Sequence, residues 1–446
     1  MAELFEDLAE QPVPVPENIS APRLRRPERD QLVLCPGSLD SLLPRDHMAR
    51  TVEAFVGTLD MTPLYAAIRA REGRPGHPPA DPKLIVALWL YATIDGVGSA
   101  RELARLCTNQ LPYQWLCGGV RMNYHSLADA RLACADWLDQ ALIASIAALR
   151  RAGAITLAVV AQDGLRVRAA AGASSFRRKP RLEQFLTEAR AQVETLKREL
   201  DGDAAASSKR QKAAAQRAAE DRARRLQAAV AAMPEAEKRA TRNKKPAEKA
   251  RVSTTDPEAA LMKMPDGGFR PAYNTQLAAE TEHGLIVGID VTSTGADQPS
   301  LEPMVEQIEA RTGCKPQTML VDGGFFSKDN VTRLTEAKVE LLVPPPQPKS
   351  EDRAAGEPVR DDTPAVAALR LRMADPDVQE RYRQRARWIE WVNAGFRNRG
   401  WRQVVVRGLK KVRAVAGWQA MAHNLSCIVR TKALADVLKI PGVCPA

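Results

Sequence analysis

The run ITLAVVAQD at 155–163 constrains this chain more than any other stretch. Before it, from about 36 to 150, apolar residues fall at helical spacing; here the spacing becomes that of a buried strand, and GLRVRAA then alternates like a half-buried one. An apolar strand of this kind is stable only inside a sheet, so the chain must return with partners. It does so late. A long basic helical stretch intervenes before AYNTQLAAET and GLIVGIDVTST, which are split by turn residues around Glu282–Gly284.

After those strands the pattern reads as helix (SLEPMVEQIEART), strand (QTMLVD), helix (Lys328 to Ala337), strand (VELLVPPP) and two further helices, about Val378 to Arg399 and Ala414 to Arg430. The order β–(insert)–β–β–α–β–α–β–α is that of an RNase H-like α/β fold: three antiparallel strands, then parallel ones, with helices on both faces. It predicts a Pro-rich arm over 1–35, an all-α region over 36–150, a catalytic-type core over 151–175 and 255–430, a helical-hairpin insertion over 176–254 and a tail over 431–446. Asp81-Pro82 starts one N-terminal helix, Ser99 and Glu102 form a capping box for the next, Pro112 opens a third and Ser126 a long fourth. Short helices with tight turns in a basic protein fit either a helix-turn-helix or an ordinary bundle.

Charge narrows the partner. Sixty-five Lys+Arg against 54 Asp+Glu give +11 over 446 residues, and residues 171–250 alone hold 20 basic and 11 acidic side chains. An excess concentrated this way marks either a solvated helical surface or a polyanion-binding segment. Within it Leu182, Leu186, Ala189, Val193, Leu196 and Leu200 form a heptad-like seam, for packing within the chain or for dimerisation, and Pro234 is expected to end the return helix. No apolar run exceeds the 11 residues Leu84–Ile94, short of a bilayer span, and the acidic start MAELFEDLAE shows no secretory signal. The 7 cysteines are scattered without a C-x-x-C, which excludes a disulfide scaffold and most structural zinc sites. The expected setting is the cytoplasm, with no membrane partner. With 45% apolar residues a wholly disordered chain is excluded, and no P-loop motif is present.

Chemistry on a phosphodiester needs carboxylates that hold hard divalent cations. Asp163 closes the first apolar strand and Asp322 closes QTMLVD; the fold order puts those strands side by side. Asp163-Gly164, Asp266-Gly267 and Asp322-Gly323 are all also plain turn signals. A third acid, Glu390, lies on a basic helix, with Arg383 and Arg397 seven residues to either side and Arg387 one turn before it. That grouping is either a surface salt-bridge cluster or a metal ligand flanked by phosphate-binding guanidiniums. Asp256 reads as an N-cap, Asp290 and Asp297 as a strand end and a helix start, and Trp388, Trp391 and Trp401 as core or as contacts to a flipped base.

Several blocks in order, GGVRMNYHSLADAR, QDGLRVRAAA, STTDPEAALMKMPDGGFRPAYNTQ, VDGGFFS and Tyr382…Arg385…Glu390…Arg397 followed by RGLKKVRAVAGWQAMAHNL, make the chain resemble a bacterial insertion-sequence transposase of the DDE type. The resemblance implies Asp163, Asp322 and Glu390 as catalytic and metal-binding acids. It implies Tyr382, Arg385 and Arg397 as the accessory motif, which with Arg383 and Arg387 would contact DNA. It departs at Arg397, where the wider superfamily often has Lys, and in a Tyr–Arg–Glu spacing one residue longer than in its best-known branch. It further implies Mg²⁺ as cofactor, with Mn²⁺ able to substitute, double-stranded DNA (element ends and target) as partner, a homodimer or larger synaptic complex, and association with the nucleoid. The rivals are an RNase H-like nuclease without strand transfer and an inactive, transposase-derived DNA-binding protein.

Overall fold

The computed structural model describes residues 37–68, 70, 78–201, 206–242, 244–347 and 356–440. The expected arm over 1–35, the last six residues of the tail, and Glu351 lie outside the described residues. From Leu39 onward the chain forms one compact unit.

Its strands are β1 (Val159–Arg168), β2 (Phe176–Arg177), β3 (Val252–Ser253), β4 (Ala260–Lys263), β5 (Phe269–Glu280), β6 (Ile286–Thr292), β7 (Thr318–Leu320) and β8 (Glu340–Leu342). The main sheet runs β4-β5-β1-β7-β8, with β6 also on β5. β1, β5 and β6 pair antiparallel, whereas β1–β7 and β7–β8 are parallel. This is the RNase H-like mixed sheet that the element order implied. Three strands escaped the sequence reading: the short β2 and β3 that frame the insertion, and β4, the first arm of a hairpin into β5. The turn between β4 and β5 carries Asp266-Gly267, where Gly267 adopts φ 81° and Asp266 caps Gly268 N–H at 3.1 Å.

The N-terminal helices are α1 (Met48–Thr58), α2 (Pro82–Ile94), α3 (Ala100–Asn109), α4 (Leu111–Cys117), α5 (Tyr124–Ala133) and α6 (Ala135–Arg151). The long helix expected from Ser126 is in fact two. Asn123, not Ser126, caps α5, and the chain bends by 56° at Cys134. Among the described residues no single helix is long and apolar enough to cross a membrane.

The insertion leaves and returns through the β2–β3 ribbon, Phe176 opposite Ser253. It holds α7 (Lys179–Asp201), α8 (Ala206–Ala231) and α9 (Met233–Arg242). Leu182, Leu186 and Ala189 of the seam bury against Leu226, Ala229 and Met233, so the seam packs within the chain. Pro234 does not simply end α8: it sits in the first turn of α9, where its missing N–H has no partner to lose.

The remaining helices are α10 (Leu301–Thr312), α11 (Lys328–Glu336), α12 (Pro364–Ala374), α13 (Pro376–Asn398), α14 (Leu409–Ile428) and the short α15 (Lys432–Val437). α14 packs on β6 and also on α2, α5 and α6, joining the N-terminal helices to the sheet in one core. Arg131 of α5 is part of that joint. Buried to 5% exposure, it stacks 4.4 Å over Trp89, donates to Gly98 O and has its carbonyl bonded by Trp418 Nε1 at 3.1 Å. The AHNL block of α14 locks the β5–β6 turn: Asn424 bonds both backbone groups of Ile286, and His423 Nε2 bonds Gly284 O at 2.9 Å.

His423 carries a pH prediction. Its Nδ1 accepts from Arg399 at 2.9 Å, so a second proton would face a guanidinium in a dry site. Burial, then the Arg399 charge, lower its pKa to about 3. The unfolded chain binds this proton near pH 6.5 and the folded chain does not, so stability is lost as pH falls below 6.5. Between pH 7 and 5 the loss is about 2 kcal/mol. Denaturant unfolding at pH 7, 6 and 5 should show that slope in the wild type and lack it in His423→Gln; equal slopes would assign it elsewhere.

Candidate active site

β1 and β7 run parallel with Ala161 opposite Leu320, so two residues further on Asp163 and Asp322 come level. Asp163 points to the face covered by α13: its Oδ2 accepts from Asn393 Nδ2 at 2.9 Å, and its Oδ1 takes the Gly164 N–H at 2.9 Å. Asp322 starts a single tight turn and accepts Gly324 N–H at 2.9 Å. Between the two carboxylates stands Arg385 of α13, with Nη2 3.5 Å from Asp163 Oδ1 and 3.8 Å from Asp322 Oδ2. Burial pushes the Asp163 carboxyl above its ordinary range. Arg385 opposes that shift and the Asp322 charge adds to it.

The three Asp-Gly pairs therefore differ. Asp266-Gly267 is the turn that its sequence suggests, and Asp322-Gly323 begins a turn while holding its carboxylate toward Arg385. Asp163-Gly164 is no turn at all but lies mid-strand in β1.

α13 is docked at both ends of the site. Tyr382 Oη donates to Val321 O at 3.0 Å, just before Asp322, and Arg381 pairs with Glu340 of β8 at 2.8 Å. Further along, Ile389, Val392, Asn393 and Phe396 are buried. Trp401 settles as core, 3% exposed with Nε1 on Thr275 at 3.1 Å.

At 100° per residue, Tyr382, Arg385, Ile389 and Asn393 share the inward face of α13. The structure thus brings Asp163, Asp322, Arg385 and Tyr382 together. Arg383, Arg387, Glu390 and Arg397 are exposed. Arg383 pairs with Glu380 at 2.6 Å, and Arg387 lies 5.4 Å over the Trp388 ring. Glu390 stands one turn before Asn393 with no hydrogen-bond or ion-pair partner among the described residues. Asn393 was missed in the sequence; its only signal was its place on the line of Arg385 and Ile389, eight positions past Arg385.

Asp256 is not an N-cap. Fully buried, it accepts from Tyr273 Oη at 2.8 Å and Gly408 N at 3.1 Å, tying the RGLKK loop to β5. A second acidic group, Glu280, Glu282 and His283, lies on the β5–β6 turn. Glu280 accepts the backbone N–H groups of 282, 283 and 285, and Glu282 is bonded by Thr156, so turn-locking accounts for these acids.

A hard divalent cation fits the first constellation. Its donors are carboxylate oxygens, with the buried Asn393 Oδ1 beside them lacking any hydrogen-bond partner. No histidine or cysteine lies among the contacts described for Asp163 and Asp322, in keeping with an oxygen-seeking ion.

Residues 240–425 match the family described as Transposase DDE domain, and residues 37–131 match the Transposase domain (DUF772). Together these stretches take up more than half of the chain. The first contains Asp322 and Glu390 but begins after β1 and Asp163. No curated protein and no solved structure matches the chain. With two transposase matches in chain order, one of them over the strand that leads to Asp322 and the helix that bears Glu390, the chain belongs to the insertion-sequence DDE transposases.

Proposed function

We propose that this transposase binds the ends of its insertion sequence, cleaves the strands there with water, and transfers the freed 3′-hydroxyls to target DNA. The observation that carries the reading is the pair Asp163 and Asp322 on adjoining parallel strands, facing the helix that bears Glu390. Asp163, Asp322 and Glu390 would hold two Mg²⁺ or Mn²⁺ ions. Such ions, when bound, supply nucleophile activation and neutralisation of phosphate charge. Asn393 orients Asp163, and Tyr382 fixes the strand end that presents Asp322. Arg385 is placed to meet a phosphate oxygen between the acids, and Arg383, Arg387 and Arg397 line the outer side where the DNA backbone would run. Joining two ends calls for a homodimer or larger synaptic complex, and DNA as substrate places the protein at the nucleoid.

Incubating the purified chain with DNA spanning the element's own ends, a target plasmid and Mg²⁺ tests this. Joined end–target products are expected. Cleavage without joining would leave a nuclease, and binding without cleavage an inactive descendant.

End binding is assigned to the helices of 36–150, with the basic hairpin adding phosphate contacts. Deleting residues 178–251 and closing the β2–β3 ribbon with a short turn should flatten the dependence of log K on log[salt] by roughly 0.9 per lost phosphate contact. An unchanged slope in a salt titration would make the hairpin a packing element.

A further inference from the structure

We infer that Asp297 is a fourth carboxylate of this metal centre, reaching it at Asp322 from the face of the sheet opposite Asp163; the inference rests on the DDE reading of the site. It begins with a glycine. Gly164 follows Asp163 in the middle of β1, paired with Gln276 across the sheet, where no turn requires it. What requires it is space. A Cβ there would collide with Asp297 Oδ1 and come within 2.9 Å of Asn274 Oδ1 and Gln276 Nε2. The Asp297 carboxylate therefore lies directly against the backbone of the residue after Asp163, on the opposite side of the strand from α13.

It is also held there. Asn274 Nδ2 and Gln276 Nε2 each donate to Asp297 Oδ1 at 2.7 Å, and both amides are completely buried on β5. Two fixed donors on one oxygen leave the other directed. The place a Cβ of Gly324 would occupy lies 3.7 Å from Asp297 Oδ2 and 2.9 Å from Asp322 Oδ1, so both oxygens border one small space kept clear by a second glycine.

The ordinary explanation for an acid at this point is a helix cap. Asp297 precedes a short turn leading into α10, yet its side chain makes no capping bond. A second, independent sign of a cation on this face is an orphan acceptor: Asn274 Oδ1, fully buried, has no hydrogen-bond partner. It sits beside Asp297, at the Cβ position of Gly164. A buried acceptor without a donor, next to the carboxylates of Asp297 and Asp322, forms an oxygen-rich surround of the kind a hard divalent ion satisfies.

The test is Mn²⁺ alone titrated into the full-length protein, followed by electron paramagnetic resonance, beside thermal melting and end cleavage. Asp297→Asn can turn its amide oxygen toward Asn274 and Gln276, so the fold is kept while the charge is removed. It should weaken Mn²⁺ binding by about 10-fold or more and slow cleavage, with melting and metal-free DNA binding unchanged. Gly164→Ala retains every carboxylate but displaces Asp297, and should lose Mn²⁺ affinity too; it decides the matter if Asp297→Asn does not fold. Wild-type Mn²⁺ affinity in the folded variant overturns the inference, whether or not melting has changed. Asp163→Asn run alongside separates the two ideas. If it alone loses Mn²⁺, Asp297 is excluded and the DDE reading stands. If it binds Mn²⁺ like the wild type, the DDE reading falls first.

Discussion

Asp163→Asn and Asp322→Asn should each abolish end cleavage while leaving the fold and DNA binding in place. Both replacements are nearly isosteric, and the surroundings can accommodate them. Asn393 offers an unbonded Oδ1 that can turn to meet a new amide at 163, and the Gly164 N–H can still be accepted by an amide oxygen. What cannot be replaced is the negative charge. Metal-assisted phosphoryl chemistry draws several kcal/mol from charge stabilisation in the transition state. At about 1.4 kcal/mol per tenfold, losing a metal-holding carboxylate costs about 10³-fold or more in rate. Stability should move the other way. Asp163 carries its charge in a largely buried place with Asp322 nearby, so a neutral side chain there relieves a cost at neutral pH, and Asp163→Asn should melt no lower than the wild type in metal-free buffer. Single-turnover cleavage of labelled end DNA, with melting of the same samples, decides it. Cleavage near the wild-type rate in either variant would remove that acid from the centre.

The sheet and its acids were legible for one reason: parallel and antiparallel strands announce themselves through apolar runs, and their order leaves few ways to pair. Asp163 and Asp322 followed because each ends or lies in such a run. Residues that matter through clearance or capture did not announce themselves. Gly164 looks like half of a turn signal, and only the depth of Asn274 and Gln276 in β5 shows that it makes room for Asp297. Asn393 is one polar residue in a mixed helix until its amide is seen on Asp163. Pro234 and Cys134 mark the same limit at element ends. A proline reads equally as a stop or a start, and a bend within an Ala-rich helix leaves the apolar period nearly intact. The AHNL block, part of the family resemblance, is a buried clamp on the β5–β6 turn rather than a contact surface.

The remaining large effect concerns Glu390. Three other glutamates lie near it in the chain, Glu351, Glu357 and Glu380; Glu351 lies outside the described residues and Glu357 is exposed before α12. Position along α13 separates the other two. Asp163 touches this helix at Arg385 and again at Asn393, so its carboxylate lies at a level between those residues. Glu390 is the one acid within that span. Glu380 falls five residues before Arg385, roughly 7.5 Å along the axis, and is already paired with Arg383. Rotation is less favourable to Glu390, since the inward line runs through Ile389 and Asn393, and its carboxylate must reach round the helix from the exposed side. That geometry predicts a graded series. Glu390→Gln should lose about 10³-fold in cleavage, the same scale as the two aspartates. Glu390→Asp, one methylene short of the reach, should keep a trace. Glu380→Gln should cleave like the wild type. Rates of end cleavage at saturating Mg²⁺ give the ranking directly. A dead Glu380→Gln beside an active Glu390→Gln would show that the helix is read from the wrong end. If Glu390→Gln is active while Asp163→Asn and Asp297→Asn are both dead, the third acid comes from the other face of the sheet, and Asp297 replaces Glu390 in the catalytic set.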